Sequence, residues 1–213
     1  MNKIIQDDIR TSFLNVIYKR IQQGKSSLVI GGIGSGKTKF LDMIQPKRKT
    51  VPYVQSLGSL NYILVSILRK SKFLFTPKMN RSAEYLDAIC NIKDLVIIID
   101  DTNDLRTIVF RYIKRIMDAE IPVIMTGNPE AQMIMRESHE DIFCRLKVLN
   151  LPPVSVVDFR KYLLQFDPDT LEVIYGTSFG NMWVFNDICE ECLYEMSQKN
   201  LKKVTMEIVE KFI

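Results

Sequence analysis

One histidine and four cysteines in 213 residues leave little material for several familiar chemistries. The single histidine, His139, lies in a polar stretch. It argues against a multi-histidine metal site, and nothing beside it marks a catalytic base. Cys90, Cys144, Cys189 and Cys192 are too few for a disulfide framework in a chain of this length. Cys189 and Cys192 form one C-x-x-C without a second pair, so they read as buried thiols rather than zinc ligands. Long apolar runs are also missing: a run such as residues 95–99 is far too short to cross a bilayer. The opening MNKIIQDDIRTSF carries Asp7, Asp8 and Arg10 where a signal peptide needs an apolar core. A soluble, intracellular, cytoplasmic protein with no membrane attachment is expected. There is no internal repeat and no low-complexity segment.

What is present is a globular composition, 46% hydrophobic and 25% charged. The length suits one sizeable domain, or a domain with a small satellite. Net charge is +4 but unevenly spread. Residues 1–80 carry 14 Lys and Arg against three Asp and Glu, a net of +11; residues 81–213 carry 15 against 22, a net of −7. Such asymmetry suits a basic face for polyanions, or attraction between opposite ends of neighbouring subunits.

The segment GGIGSGKT, residues 31–38, matches G-x-x-x-x-G-K-[ST]. It follows the apolar run 27–30 and precedes Phe40, Leu41 and Ile44 at helical spacing. Glycines allow the backbone to curl so that consecutive N–H groups converge on phosphate oxygens, and the helix that follows adds its positive end. The expected phosphate contacts are Gly31, Gly32, Ile33, Gly34, Ser35, Gly36, Lys37 and Thr38. Lys37 would reach the β- and γ-phosphates of ATP, and the Thr38 hydroxyl would ligate Mg²⁺.

Apolar patterning extends this to a fold. Helices are predicted at 4–23, from the loop to 44, and at 57–68, 82–91, 105–117 and 130–145, with strands at 27–30, 50–56, 95–99, 123–126 and 147–151. Alternation of strand and helix points to a parallel α/β sheet. Pro152 and Pro153 interrupt it, and only helices follow, at 156–166, 168–175, 181–197 and 205–213. Two domains are expected, residues 1–150 and 151–213. The strand 95–99 ends in Asp100-Asp101. A carboxylate there lies at the sheet edge where ligands bind, so Asp100 is expected to hold Mg²⁺ and Asp101 to polarise a water; both could instead simply end a strand. The strand 123–126 delivers Asn128 to the same edge. Its neutral amide suits a γ-phosphate oxygen and a water, although Gly127-Asn128-Pro129 is also a good turn.

The order GGIGSGKT, LVIIIDD, IPVIMTGNPE, DIFCRLKVLNLPP and then a helical segment resembles the AAA+ ATPases. Within them it looks most like the branch of origin-recognition proteins, DnaA-type initiators, IstB-type helper ATPases and TnsC/TniB transposition regulators. The resemblance covers nearly the whole chain. It implies a P-loop NTPase core followed by a small helical lid, with Asn128 as sensor 1 and Arg145 as the arginine finger acting on an adjacent subunit, Arg136 being the alternative finger. It further implies an ATP-dependent ring or filament of the chain with itself, non-specific double-stranded DNA as a partner, and control of a transposase. A helicase loader or replication initiator, and a STAND-type signalling NTPase without DNA binding, are the alternatives; a small-molecule P-loop kinase fits least. Two departures stand out. Asp101 replaces the usual Glu and is one methylene shorter, implying slow turnover. Trp183 stands where many members carry the sensor 2 Arg, an Arg that transposition-type members often lack too, and reads as core. No helix-turn-helix pattern follows, so DNA contact would fall to the core, at Arg69, Lys70, Lys72, Lys78 and Arg81. These residues could equally form a solvated basic face.

Overall fold

Five short apolar segments become strands: β1 (Ser26–Ile30), β2 (Tyr53–Gln55), β3 (Ile97–Asp100), β4 (Val123–Gly127) and β5 (Leu146–Asn150). The structure, a computed structural model, describes residues 7–47, 49–56, 59–73, 81–161 and 163–213. The strands form one sheet in the order β2-β3-β4-β1-β5, with every neighbouring pair parallel. Parallel neighbours need crossovers, and helices supply them. After α1 (Asp8–Gln22), which precedes β1, these are α2 (Lys37–Asp42), α3 (Leu60–Lys70), α4 (Ser82–Cys90), α5 (Thr107–Asp118), α6 (Pro129–Ser138) and α7 (Glu140–Phe143).

The central strands are uniformly apolar because both of their faces are covered. Successive side chains alternate sides. Leu28, Ile30, Ile97, Ile99, Val123 and Met125 pack with α3, α4 and α5 on one face, through Ile67, Ile89, Phe110 and Ile113. Val29, Ile98, Ile124 and Leu149 pack on the other with Leu14 and Ile17 of α1 and Phe40 of α2. Each such side chain contributes about 1.5–3 kcal/mol on burial. Register then aligns the strand ends: Ile30 lies beside Gly127 and Asn150, and Gln55 beside Asp100. The residues that follow these positions share the carboxyl edge of the sheet.

Contacts divide the chain into two compact units. One holds residues 9–31 and 37–151, and the other is built from residues 32–36 and 152–213. The second contains α8 (Val156–Arg160), α9 (Pro168–Thr177), α10 (Met182–Gln198) and α11 (Met206–Val209). Its core gathers Phe159, Leu171, Ile174, Phe185, Cys189, Cys192 and Ile208. The α/β class, a parallel sheet flanked by helices with helices following, is the one expected. No helix among the described residues is long and apolar enough to cross a membrane.

Several helices differ from the pattern. The segment expected to be one helix over 130–145 breaks at His139, with φ −141° and ψ 46°. His139 donates its N–H to the Met135 carbonyl and its own carbonyl accepts from Ile142 and Phe143, so one helix ends where the next begins. Its ring packs on Phe110 with centroids 4.4 Å apart. The helices expected at 156–166 and 205–213 are shorter, as α8 and α11. Residues 4–6 of the first expected helix, 4–23, lie outside the described residues.

Candidate functional site

Sixty-two positions separate Thr38 from Asp100, yet the Thr38 hydroxyl donates to Asp100 Oδ2 at 2.8 Å. The first residues of α2 and the end of β3 meet because β1 and β3 flank β4 in register. Asp100 is only 5% exposed. A buried carboxylate needs donors in place of water. Tyr53 on β2 donates to the same Oδ2, and Thr126 on β4 donates to Oδ1 at 2.5 Å. Burial pushes the Tyr53 hydroxyl well above the usual phenol range, and its bond to Asp100 adds to this, so it stays a protonated donor. Nearby, the Lys37 ammonium donates to the Gly31 carbonyl at 2.9 Å. Desolvation lowers its pKa, opposed by the charges of Asp101 and Asp100.

Among the described residues, no group of three or more His, Cys, Asp or Glu suits a tightly caged metal. One hydroxyl and one carboxylate fit Mg²⁺, which keeps most of its waters and takes few protein ligands. The donor set therefore suits Mg²⁺ carried on a polyphosphate.

Asp101 adopts the left-handed conformation, φ 58° and ψ 68°, which costs a non-glycine residue about 1–3 kcal/mol unless its surroundings impose it. They do. Its N–H donates to Thr126 Oγ1 at 2.9 Å, its carbonyl accepts from the Ser56 hydroxyl, and its Oδ1 accepts from Asn103 Nδ2. Asn103 lies in a 3-10 turn, Thr102–Asp104. Its Oδ1 accepts the Asn128 N–H at 2.9 Å. Asn128 itself caps α6, its Oδ1 accepting from the Ala131 N–H at 2.8 Å. The turn-forming reading of Asn128 and its place at the sheet edge thus coexist.

The loop residues 32–36 belong to the helical unit. Gly34 and Gly36 have φ of 74° and 85°, conformations that L side chains rarely adopt. The Gly34 carbonyl accepts the Met182 N–H at 3.1 Å, and a Cβ at Gly34 would lie 2.2 Å from Asn181 Oδ1. Ser35 is buried and Ile33 is exposed. Trp183, expected in the core, is 78% exposed and Phe179 is 94% exposed. Trp183 sits in the first turn of α10, where its apolar character gave no sign of which way it would face.

Arg145 lies elsewhere. It immediately precedes β5, whose first residue pairs with Ser26, so it stands at the amino edge of the sheet. The corner holding Asp100 lies at the opposite edge, about 13 Å along the strand direction, with β1 and β4 between β5 and β3. It forms an ion pair with Asp118, and its Nε donates to the Asp141 carbonyl at 3.1 Å. Arg136 is exposed in the last turn of α6. Of the basic candidates, Arg69, Lys70, Lys72 and Arg81 are exposed, and Lys78 lies outside the described residues. Lys70 Nζ donates to the Tyr53 carbonyl at 2.6 Å and stands 6.0 Å from the centre of its ring. The sequence alone did not single out Tyr53, Ser56, Asn103 or Thr126. For Tyr53 and Thr126 the available signal was a hydroxyl-bearing residue within or ending an apolar strand.

No family model matches the chain, and neither does any curated protein sequence. Solved structures do match in fold. The Aeropyrum pernix ORC2 protein, in ADPNP–ADP complexes, gives a TM-score of 0.76 at 16% identity over 95% of this chain and 66% of that one. Cdc6p from Pyrobaculum aerophilum gives 0.79 at 16% identity, covering 99% of this chain and 68% of that one. The Aeropyrum pernix ORC1 protein, in complex with DNA, gives 0.74 at 14% identity, covering 98% and 65%. The chain spans about two thirds of the length of these proteins, slightly less for the two ORC proteins. At such identities the likeness is one of fold.

Proposed function

We propose that the chain is an AAA+ ATPase that binds ATP with Mg²⁺, hydrolyses it, and assembles with its own copies on duplex DNA to recruit or control a partner enzyme. The observation that carries the nucleotide reading is the meeting of Thr38 and Asp100 at 2.8 Å, beside Lys37, after a glycine-rich loop. Mg²⁺, when bound, neutralises charge on the β- and γ-phosphates. The Gly31 N–H is engaged by the Gly127 carbonyl at 3.1 Å, so it is residues 32–36 that offer backbone N–H groups to the phosphates, while Lys37 exchanges the Gly31 carbonyl for a phosphate oxygen. Asp101 takes a proton from the attacking water, and Asn128 donates its Nδ2–H to the γ-phosphate. Arg145, remote from its own Asp100, serves the nucleotide of a neighbouring copy. Residues 1–150 form the nucleotide-binding domain and residues 151–213 its lid. Arg69, Lys70, Lys72, Lys78 and Arg81 contact DNA phosphates without sequence preference.

The partner enzyme in this reading is a transposase, for which the motif order and Trp183 at the sensor 2 position speak. A replication initiator or helicase loader is the second reading. One separate observation favours it, the shared fold with ORC and Cdc6 proteins. Co-purification of a helicase rather than a transposase would decide between them. A signalling NTPase of the STAND type would show no salt-dependent DNA binding.

Lys37→Ala tests the core of the proposal. It is expected to weaken Mg·ATP binding about 100-fold and to abolish ATP-dependent assembly, because a charge-assisted bond to phosphate is lost. Calorimetry and sedimentation read both effects. Unchanged affinity would remove the loop from the site.

A further inference from the structure

Asn103 carries one amide and uses both of its ends. Its Nδ2 donates to Asp101 Oδ1, and its Oδ1 accepts the Asn128 N–H at 2.9 Å. The two partners leave no choice of orientation. An ionised carboxylate only accepts and a backbone N–H only donates, so each end of the amide must face the group it faces. Few side chains can do this from the same position. Asp offers no donor, Leu offers neither group, and Gln is a methylene longer.

We infer that Asn103 is a positioning residue for hydrolysis: it holds the Asp101 carboxylate and the Asn128 peptide in fixed relation, joining the end of β3 to the end of β4. The inference rests on the ATPase reading above. Two observations besides the hydrogen bonds support it. Asp101 is in the left-handed conformation, with its N–H and carbonyl held by Thr126 and Ser56, so the remaining freedom at this residue lies in its side chain. Asn103 removes that freedom by holding Oδ1, which leaves Oδ2 free of this restraint to face the water. The 3-10 turn is also seated directly on Gly127. A Cβ there would lie 2.9 Å from Ala131 Cβ, 3.3 Å from Thr102 Oγ1 and 3.6 Å from Asn103 Oδ1. The absent side chain at Gly127 leaves room for Ala131 and for the Thr102 hydroxyl of the turn, with Asn103 Oδ1 at ordinary contact distance.

The consequence is a coupling. A γ-phosphate that draws on the Asn128 side chain shifts the turn that Asn103 grips, and the grip is shared with the carboxylate that orients the water. The shorter Asp101, in place of Glu, thereby has a fixed rather than a wandering carboxylate.

Three full-length proteins test this: wild type, Asn103→Ala and Asn103→Asp. Hydrolysis, ADP affinity and hydrogen exchange at the Asn128 amide are measured for each. In Asn103→Ala, kcat is expected to fall about 10- to 100-fold, the cost of a misplaced water-orienting group, while KM and ADP affinity stay within about threefold. The Asn128 amide should exchange at least about tenfold faster, having lost its acceptor. Asn103→Asp keeps that acceptor and loses the donor. It should preserve protection at Asn128 and still lose kcat, because a second carboxylate now faces Asp101. A merely structural residue would lower affinity, protection and kcat together in both variants. Asn103→Ala turning over within threefold of wild type, or losing ADP affinity in step with kcat, overturns the inference alone. A wild type that neither binds nor hydrolyses ATP overturns the reading beneath it, and the inference with it.

Discussion

Asp100 at the end of β3 and Phe185 in α10 are both buried, and what surrounds them differs in kind. Around Asp100 stand three hydroxyls, from Thr38, Tyr53 and Thr126, each drawn from a different stretch of chain. Around Phe185 stand the rings of Phe159, with centroids 4.3 Å apart, and Tyr175, edge-on at 6.1 Å. A buried carboxylate requires donors at defined distance and angle, so its burial fixes the relative places of α2, β2, β3 and β4. A buried ring requires only filled volume, so many sequences satisfy it. The cysteines follow the second rule. Burial pushes the Cys189 thiol up to about 12 and Cys192 up to about 11, so neither is a thiolate at neutral pH, and both behave as small apolar groups. Chemistry collects where burial is directional, and stability of the helical unit where it is not.

The contrast can be broken from either side. The larger effect is expected from Phe185→Ala. Emptying a fully buried ring position costs about 3–5 kcal/mol, which urea unfolding would register. A cost below about 1 kcal/mol would mean that the helical core does not depend on its aromatic cluster. Tyr53→Phe is the milder and sharper probe. It keeps the ring and its packing and removes one of three donors to Asp100. Because groups that orient a metal's ligand affect affinity, Mg²⁺ dependence of ATP binding should weaken about tenfold, with little change in stability. Titrating Mg²⁺ at fixed ATP reads this. An unchanged Mg²⁺ midpoint would place Tyr53 outside the site.

The same distinction explains what the sequence made legible. The strands were readable because runs such as residues 95–99 are apolar throughout, the mark of a strand covered on both faces. The loop was readable because its glycines, lysine and threonine sit at fixed local spacing, and Gly34 and Gly36 do take conformations suited to glycine. Asp100 followed from its place after a buried strand. Asn103 and Tyr53 were not legible, since their roles depend on partners 25 and 47 positions away that only the sheet register brings together. Ser56 escaped for the same reason, its partner Asp101 lying 45 positions on. The break at His139 depends on a ring contact with Phe110, which periodicity within residues 130–145 does not contain. Trp183 misled in the opposite direction: a large apolar residue suggests burial, yet a place in the first turn of a helix leaves its facing open. Arg145 falls, by periodicity, at the end of the helix expected over 130–145, and only the register shows that it stands at the opposite edge of the sheet from Asp100.

The central claim is that the Thr38–Asp100 corner holds Mg²⁺ on a bound triphosphate. Calorimetric ATP titrations of wild type and Asp100→Asn, each with Mg²⁺ and with a chelator, test it directly. Wild type is expected to bind about tenfold or more tightly with Mg²⁺, and Asp100→Asn to lose most of that difference while keeping its Mg²⁺-free affinity. Equal Mg²⁺ enhancement in both proteins, or no ATP binding by wild type under either condition, would contradict the account.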